Sequence, residues 1–266
     1  MKIVCFDVDM TLLDHATMQI PESALKTLEA LRAAGHRIIL STGRDMKDVF
    51  CAGILDQVHP DGLVHCNGAC VEADGQVLLD TVWSPEEREA LVSFCEKEGL
   101  VVGAIYGGTA YCIGTEKYYD EMAGVILPLG LSIRGMRELP QDAAVHEIFY
   151  CGYRDGAQKI EEAFPGLRLP MYATGNASDV IREGVSKAGG IRLLMDHYGC
   201  GPEDVIAVGD SNNDIEMLEM AGLAIAMGNA SPKARAAADH VTSDIAEDGI
   251  YRAFRHFDLI PDLGIG

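Results

Sequence analysis

Basic residues are scarce in this chain: 21 Lys and Arg stand against 41 Asp and Glu, giving a formal net charge of −20 and a pI near 4.6. Binding along a nucleic-acid backbone depends on neutralising phosphates with Lys and Arg, so no nucleic-acid partner is expected. Long apolar runs are lacking too. Spanning a bilayer takes about 18 consecutive apolar residues, and the best stretch, around residues 125–133, is broken by Pro128 and Gly130. The amino terminus does not read as a signal peptide, because Asp7 and Asp9 cut its apolar run short. A cytoplasmic location with no membrane partner is the resulting expectation. The 8 cysteines have no C-x-x-C spacing of the kind that builds structural zinc sites, and several fall in apolar segments, so reduced, buried thiols are expected. Internal repeats, low-complexity tracts and long linkers are missing as well.

What is present is an ordinary globular composition, 48% apolar and 23% charged, over 266 residues. That length suits one large domain or two modest ones. Strand and helix patterns alternate at the start: a strand pattern from Lys2 to Phe6, a helical stripe of Leu25, Leu28 and Leu31 stopped by Gly35, then strand patterns from Arg37 to Leu40 and from Gly62 to His65. The last third repeats the style. Ile191, Leu194, Met195 and Tyr198 form a stripe, Val205 to Val208 reads as a buried strand, Ile215, Met217 and Leu218 mark a helix, and a strand over Ala224 to Met227 precedes a helix opened by Ser231-Pro232. This alternation predicts an α/β fold, a doubly wound (Rossmann-like) parallel sheet.

The middle differs. Ser84-Pro85-Glu86-Glu87 predicts a capped helix to Glu98, and two extended runs flank Gly107-Gly108 as in a hairpin. Extended segments over His146 to Cys151, Arg168 to Tyr172 and Asp179 to Arg182, with a helical stretch over Ala157 to Phe164, complete an α+β pattern. The reading is a core of residues 1–80 and 183–266 with an α+β domain inserted at 81–182.

Polar residues and glycines cluster just beyond the strand ends, where an open parallel sheet puts its ligand site. Asp7-Val8-Asp9-Met10-Thr11 follows the first strand, and with strand periodicity residues 7 and 9 share a face. Two carboxylates so placed repel one another unless a divalent cation lies between them; Mg²⁺ is the oxygen-seeking ion that also neutralises phosphate. Gly209-Asp210-Ser211-Asn212-Asn213-Asp214 adds two carboxylates and two amides after another strand, Thr42-Gly43 offers a hydroxyl and an approachable N–H, and Lys187 stands at a helix start. Each alone has a plain alternative: an acidic turn, a set of capping residues, a strand-to-loop turn, a solvated surface lysine. Histidines are not expected to be central, with His36 and His59 in loops and His146 a packing or surface residue of a strand.

Taken in order, Asp-x-Asp-x-Thr, Ser41-Thr42-Gly43-Arg44, Val185-Ser186-Lys187 and Gly-Asp-x-x-Asn-Asp resemble the four motifs of the haloacid dehalogenase superfamily. Cys66-Asn67-Gly68-Ala69 and Ala226-Met227-Gly228-Asn229-Ala230 resemble its Cof-type branch, whose cap is inserted between the second and third motifs. The resemblance implies a Mg²⁺-dependent phosphatase acting on small phosphorylated metabolites, sugar phosphates among them. It gives Asp7 the role of nucleophile, Asp9 that of acid and base, and Lys187 and Thr42 the phosphoryl charge. Metal contacts fall to Asp7, Asp9 through its carbonyl, Asp210 and Asp214, and substrate contacts to Thr42, Gly43, Arg44, Asn67 and Asn213. A phosphomutase with the same nucleophile, or a silent phosphometabolite-binding protein, are the alternatives. Met10 departs from the usual glycine, leaving open whether that turn is shaped differently or needs no positive φ.

Overall fold

A computed structural model describes residues 1–114, 132–172 and 174–265. The apolar stretch at 125–133 therefore lies mostly outside the described residues. Among those described, no helix is long and apolar enough to cross a membrane. All eight cysteines are free, and seven are buried.

The chain divides into two units. Met1–Thr42, Leu55–Asp80 and Ser186–Gly266 form one; Gly43–Ile54 and Thr81–Val185 form the other. The first is built on an eight-stranded sheet whose six contiguous parallel strands run in the spatial order His240–Val241, Leu223–Ala226, Val205–Gly209, Ile3–Phe6, Arg37–Ser41, Gly62–His65. Ile3–Phe6 is buried at every position because it lies mid-sheet between neighbours from both ends of the chain. Cys5, Ile39, Val64, Ile191, Leu194, Val205 and Met217 belong to one apolar cluster, which joins sheet to helices. The sheet is not wholly parallel. Cys70–Ala73 and Gln76–Asp80 extend it as an antiparallel hairpin on Gly62–His65, turned by Asp74-Gly75, both at positive φ. That dipeptide is a strong two-residue hairpin signal, so this addition was there to be read.

The second unit has its own core, in which Trp83, Leu91, Val102, Ile148, Tyr150 and Ile160 pack together. Its five-stranded sheet runs Ala177–Asp179, Phe149–Cys151, Val101–Tyr106, Thr109–Cys112, Ser132–Gly135. Helix Pro85–Glu98 starts with the expected capping box, Ser84 accepting from the Glu87 N–H and Glu87 from the Ser84 N–H, and ends at Gly99 in the left-handed region. The hairpin at Gly107-Gly108 also forms, with φ of 58° and 74°. Three extended readings shrink: the strand expected from His146 starts at Phe149, of the segment Arg168 to Tyr172 Arg168 alone lies in a strand, Leu167–Arg168, and Val180 separates two short strands. Two residues before the first of these strands make side-chain contacts: His146 Nδ1 lies 3.0 Å from Asp45 Oδ2 and Glu147 Oε2 accepts from the Asp45 N–H at 3.2 Å. These contacts, with Asp48 accepting from the Gly108 N–H, also tie Gly43–Ile54 to the second unit.

Candidate active site

The strands Val205–Gly209, Ile3–Phe6 and Arg37–Ser41 are parallel neighbours in register, so the residues that follow them emerge together at one sheet edge. From Ile3–Phe6 the chain moves to one side and the later strands build out on the other. That makes this edge a switch point, where such sheets open a crevice. The Asp7 N–H still donates to the Val208 carbonyl at 2.9 Å, which fixes the start of the loop. The residue is 4% exposed.

Helix Lys187–Tyr198 brings the cation. Ser186 caps it by accepting from the Gly189 N–H at 3.1 Å, which leaves Lys187 at the first helical position. Lys187 is 1% exposed, and its Nζ donates to Asp7 Oδ1 and to Asp214 Oδ1, each at 2.6 Å. The surface-lysine alternative does not hold. Asp214 is also held by backbone: its Oδ2 accepts from the N–H groups of Asp210 and Ser211 at 2.9 Å each, folding the 210–214 loop back on itself. Thr11 Oγ1 donates to Asp210 Oδ1 at 3.3 Å, a contact the sequence reading left unassigned although Thr11 closes the first motif.

Asp7, Asp210 and Asp214 each offer a carboxylate oxygen, all within 4.8 Å of one another. Burial pushes the Asp7 carboxyl up, against the pull of Lys187 and with the repulsion of Asp214 and Asp9. Asp210 is raised for the same first reason and then by the charges of Asp7 and Asp214. Burial alone would lower the Lys187 ammonium, but Asp214 and Asp7 outweigh it and hold it above its usual range. Three carboxylates facing one lysine leave excess negative charge in a desolvated place, which protons or a cation must relieve. The all-oxygen donor set suits a hard divalent ion.

Asp9 is not in this triplet. The first strand ends at Phe6 and the chain bends at Val8, so strand periodicity does not carry to residue 9. Instead Asp9 Oδ1 meets His15 Nε2 at 2.6 Å. Met10 takes φ +59°, with its N–H on the Leu13 carbonyl at 2.9 Å and its own carbonyl held by Asn229 Nδ2 at 2.7 Å. The turn thus keeps a left-handed residue here, and methionine adopts it. Thr42 is buried beside the cluster's sheet edge, its carbonyl accepting from the Asn67 N–H at 2.9 Å, and Asn67 Oδ1 accepts from Asn213 Nδ2 at 2.9 Å. Gly43 and Arg44 belong to the second unit, where the Arg44 guanidinium lies 5.4 Å from the centre of the Phe50 ring.

Known proteins resemble the chain along its length. A protein of Streptococcus pyogenes named as a bifunctional phosphatase/peptidyl-prolyl cis-trans isomerase is 30% identical over 264 residues, 97% of this chain and 54% of that protein, so the chain spans about half the length of this relative. A phosphoglycolate phosphatase of Methanothermobacter thermautotrophicus is 26% identical over 97% of this chain and 99% of its own length. Among solved structures, a phosphatase from Bacteroides thetaiotaomicron superposes with a TM-score of 0.87 at 27% identity, covering 98% of this chain and 96% of that one. A sugar phosphatase of subclass IIB of the haloacid dehalogenase superfamily gives 0.84 at 29% identity, covering 98% and 100%. With residues 4–254 matching the model of the haloacid dehalogenase-like hydrolases, the chain belongs to that family.

Proposed function

We propose that this chain hydrolyses small phosphorylated metabolites, sugar phosphates first among them, with Mg²⁺ and through a phosphoryl group carried on Asp7. One observation carries the reading: a buried lysine 2.6 Å from the Asp7 carboxylate, in a cluster that also holds Asp210 and Asp214. Lys187 occupies Asp7 Oδ1 and so orients the carboxylate, leaving Oδ2 to attack phosphorus. Asp7, Asp210 and the Asp9 carbonyl would hold the metal, with Asp214 orienting its water shell. Bound Mg²⁺ neutralises phosphoryl charge as it builds.

Lys187 and the Thr42 hydroxyl take the remaining phosphoryl charge. Asp9 gives its proton to the departing ester oxygen, then takes one from the water that attacks the phosphorylated Asp7. Gly43, Arg44, Asn67 and Asn213 are assigned contacts with substrate. Residues 81–182 act as the cap that selects the leaving group, and the work is cytoplasmic. The sugar phosphatase at 29% identity and the phosphoglycolate phosphatase at 26% support small phosphorylated metabolites as the class.

The test is phosphate release over a panel of phosphorylated metabolites, with Mg²⁺ and with chelator, for the wild type and Asp7→Asn. Release should need metal and fall below a few per cent in the variant, because an amide of nearly the same size is a poor nucleophile. Turnover above that level in a deamidation-free preparation would remove Asp7 from the role.

A further inference from the structure

His15 stands outside every motif, yet its Nε2 makes the 2.6 Å contact with Asp9 Oδ1. The side chains are 44% and 34% exposed, so the pair adds little to stability as a surface ion pair. Its backbone is nonetheless well fixed. The buried Asp14 side chain accepts from the Ala16 N–H at 2.8 Å and from Thr17 Oγ1 at 3.2 Å, while the Asp14 N–H reaches the Gln19 carbonyl at 3.0 Å. On the other side, the Leu12 and Leu13 N–H groups both bond the Val8 carbonyl, at 2.9 and 2.7 Å. The imidazole is thus carried by a turn braced on both flanks and aimed at the carboxylate two residues after Asp7.

We propose that His15 is a positioning residue for Asp9: it donates Nε2–H to Oδ1, fixes the plane of the carboxyl group, and so presents Oδ2 to the leaving group. This rests on the reading of Asp9 as acid and base. In the first step the proton on Asp9 Oδ2 passes to the ester oxygen as the P–O bond breaks and the Asp7–phosphorus bond forms. In the second, Oδ2 takes a proton from water as water oxygen bonds to phosphorus and Asp7 leaves as carboxylate. His15 keeps its own proton throughout. A carboxyl group's terminal torsion is broad and two-fold, so one anchored oxygen is what gives the other a defined direction.

The need for a proton scales with the basicity of the departing oxygen. An alkoxide needs it, whereas nitrophenolate leaves unaided. The test compares kcat/KM, which reports steps through phosphoryl transfer to the enzyme, for glucose 6-phosphate and 4-nitrophenyl phosphate in His15→Ala, His15→Gln and Asp9→Asn.

Asp9→Asn should lose about 10²-fold or more on the sugar ester and far less on the aryl ester. His15→Ala should lose about ten-fold on the sugar ester and less than about three-fold on the aryl ester, with Tm unchanged. His15→Gln should recover the sugar-ester rate to within about three-fold, since its amide can donate in place of Nε2–H. If Asp9→Asn shows the leaving-group split and His15→Ala loses nothing, or loses equally on both esters, His15 is a surface residue and the proposal fails alone. If Asp9→Asn shows no split, the acid role of Asp9 is wrong and the proposal falls with it.

Discussion

A lysine at the first position of a helix sits against the positive end of the dipole, and Lys187 is buried there as well. Both costs are met by carboxylates from two different loops, Asp7 and Asp214. Sequence spacing cannot show such a pairing, because it joins residues 180 and 27 positions apart; only the order of the motifs pointed to it. Met10 is the reverse case: the sequence raised the question of its φ, and the backbone answers that methionine carries a left-handed conformation, at a cost of about 1–2 kcal/mol. The Asn229 clamp on its carbonyl is part of what holds it there. The acidic cluster has a pH consequence. Burial and neighbouring charge raise the Asp210 carboxyl to about 9, so the metal-free folded state binds a proton that the unfolded chain has already released. A raised carboxyl contributes stability that is whole below the unfolded value of about 4 and is lost as pH rises through the folded one. The Tm of metal-free protein should therefore fall between pH 5 and 9, more steeply in wild type than in Asp210→Asn, and added Mg²⁺ should restore most of it at the alkaline end. Equal slopes in thermal melts of the two proteins would show that Asp210 does not hold the proton.

Among the elements, the short turn Cys66–Gly68 is buried at all three residues. Asn67 has φ 57° and Gly68 φ 98°, and a Cβ on Gly68 would run into the Ser186 carbonyl group, with the carbonyl carbon at 2.7 Å. Glycine is needed here for both conformation and space: this turn packs against the residue that caps the Lys187 helix. Gly68→Ala should push the turn and the helix start apart, costing about 1–3 kcal/mol of stability and lowering kcat about ten-fold or more through a displaced Lys187. Thermal melts with steady-state kinetics check it; wild-type values of both would mean that the loop absorbs the methyl group. The sequence named Asn67 as a contact residue without giving a reason for Gly68, because the clash is with a segment over a hundred residues away. Capped helices and glycine hairpins were legible at short range, as Ser84–Glu87 and Gly107-Gly108 demonstrate. Strands of two or three residues, such as Leu167–Arg168 and Ala177–Asp179, were not, since their extent is set by partners rather than by pattern.

At the scale of the whole molecule, a single sheet draws Ile3–Phe6 and Val205–Gly209 together, with all of the second unit's chain between them in sequence. The change of pattern near residue 81 and its return near 183 is where the sequence reading places an insertion, while Gly43–Ile54, which groups with the second unit and makes side-chain contacts there through Asp45 and Asp48, has no local pattern that announces it. Under the proposed function, a chain of net charge −20 gathers phosphate at a locally compensated place. Lys187 and a divalent ion among Asp7, Asp210 and Asp214 are the means assigned here, and a phosphoryl group on Asp7 is the central claim. It is tested most directly by trapping. Enzyme in single turnover with a good sugar-phosphate substrate and Mg²⁺ is quenched in acid, reduced with borohydride and digested, and the peptide carrying residue 7 is sequenced by mass spectrometry. Homoserine at position 7, absent without substrate and absent in Asp7→Asn, is the expected result. Rapid phosphate release with residue 7 recovered only as aspartate, or with homoserine at position 9 or 210 instead, would contradict it.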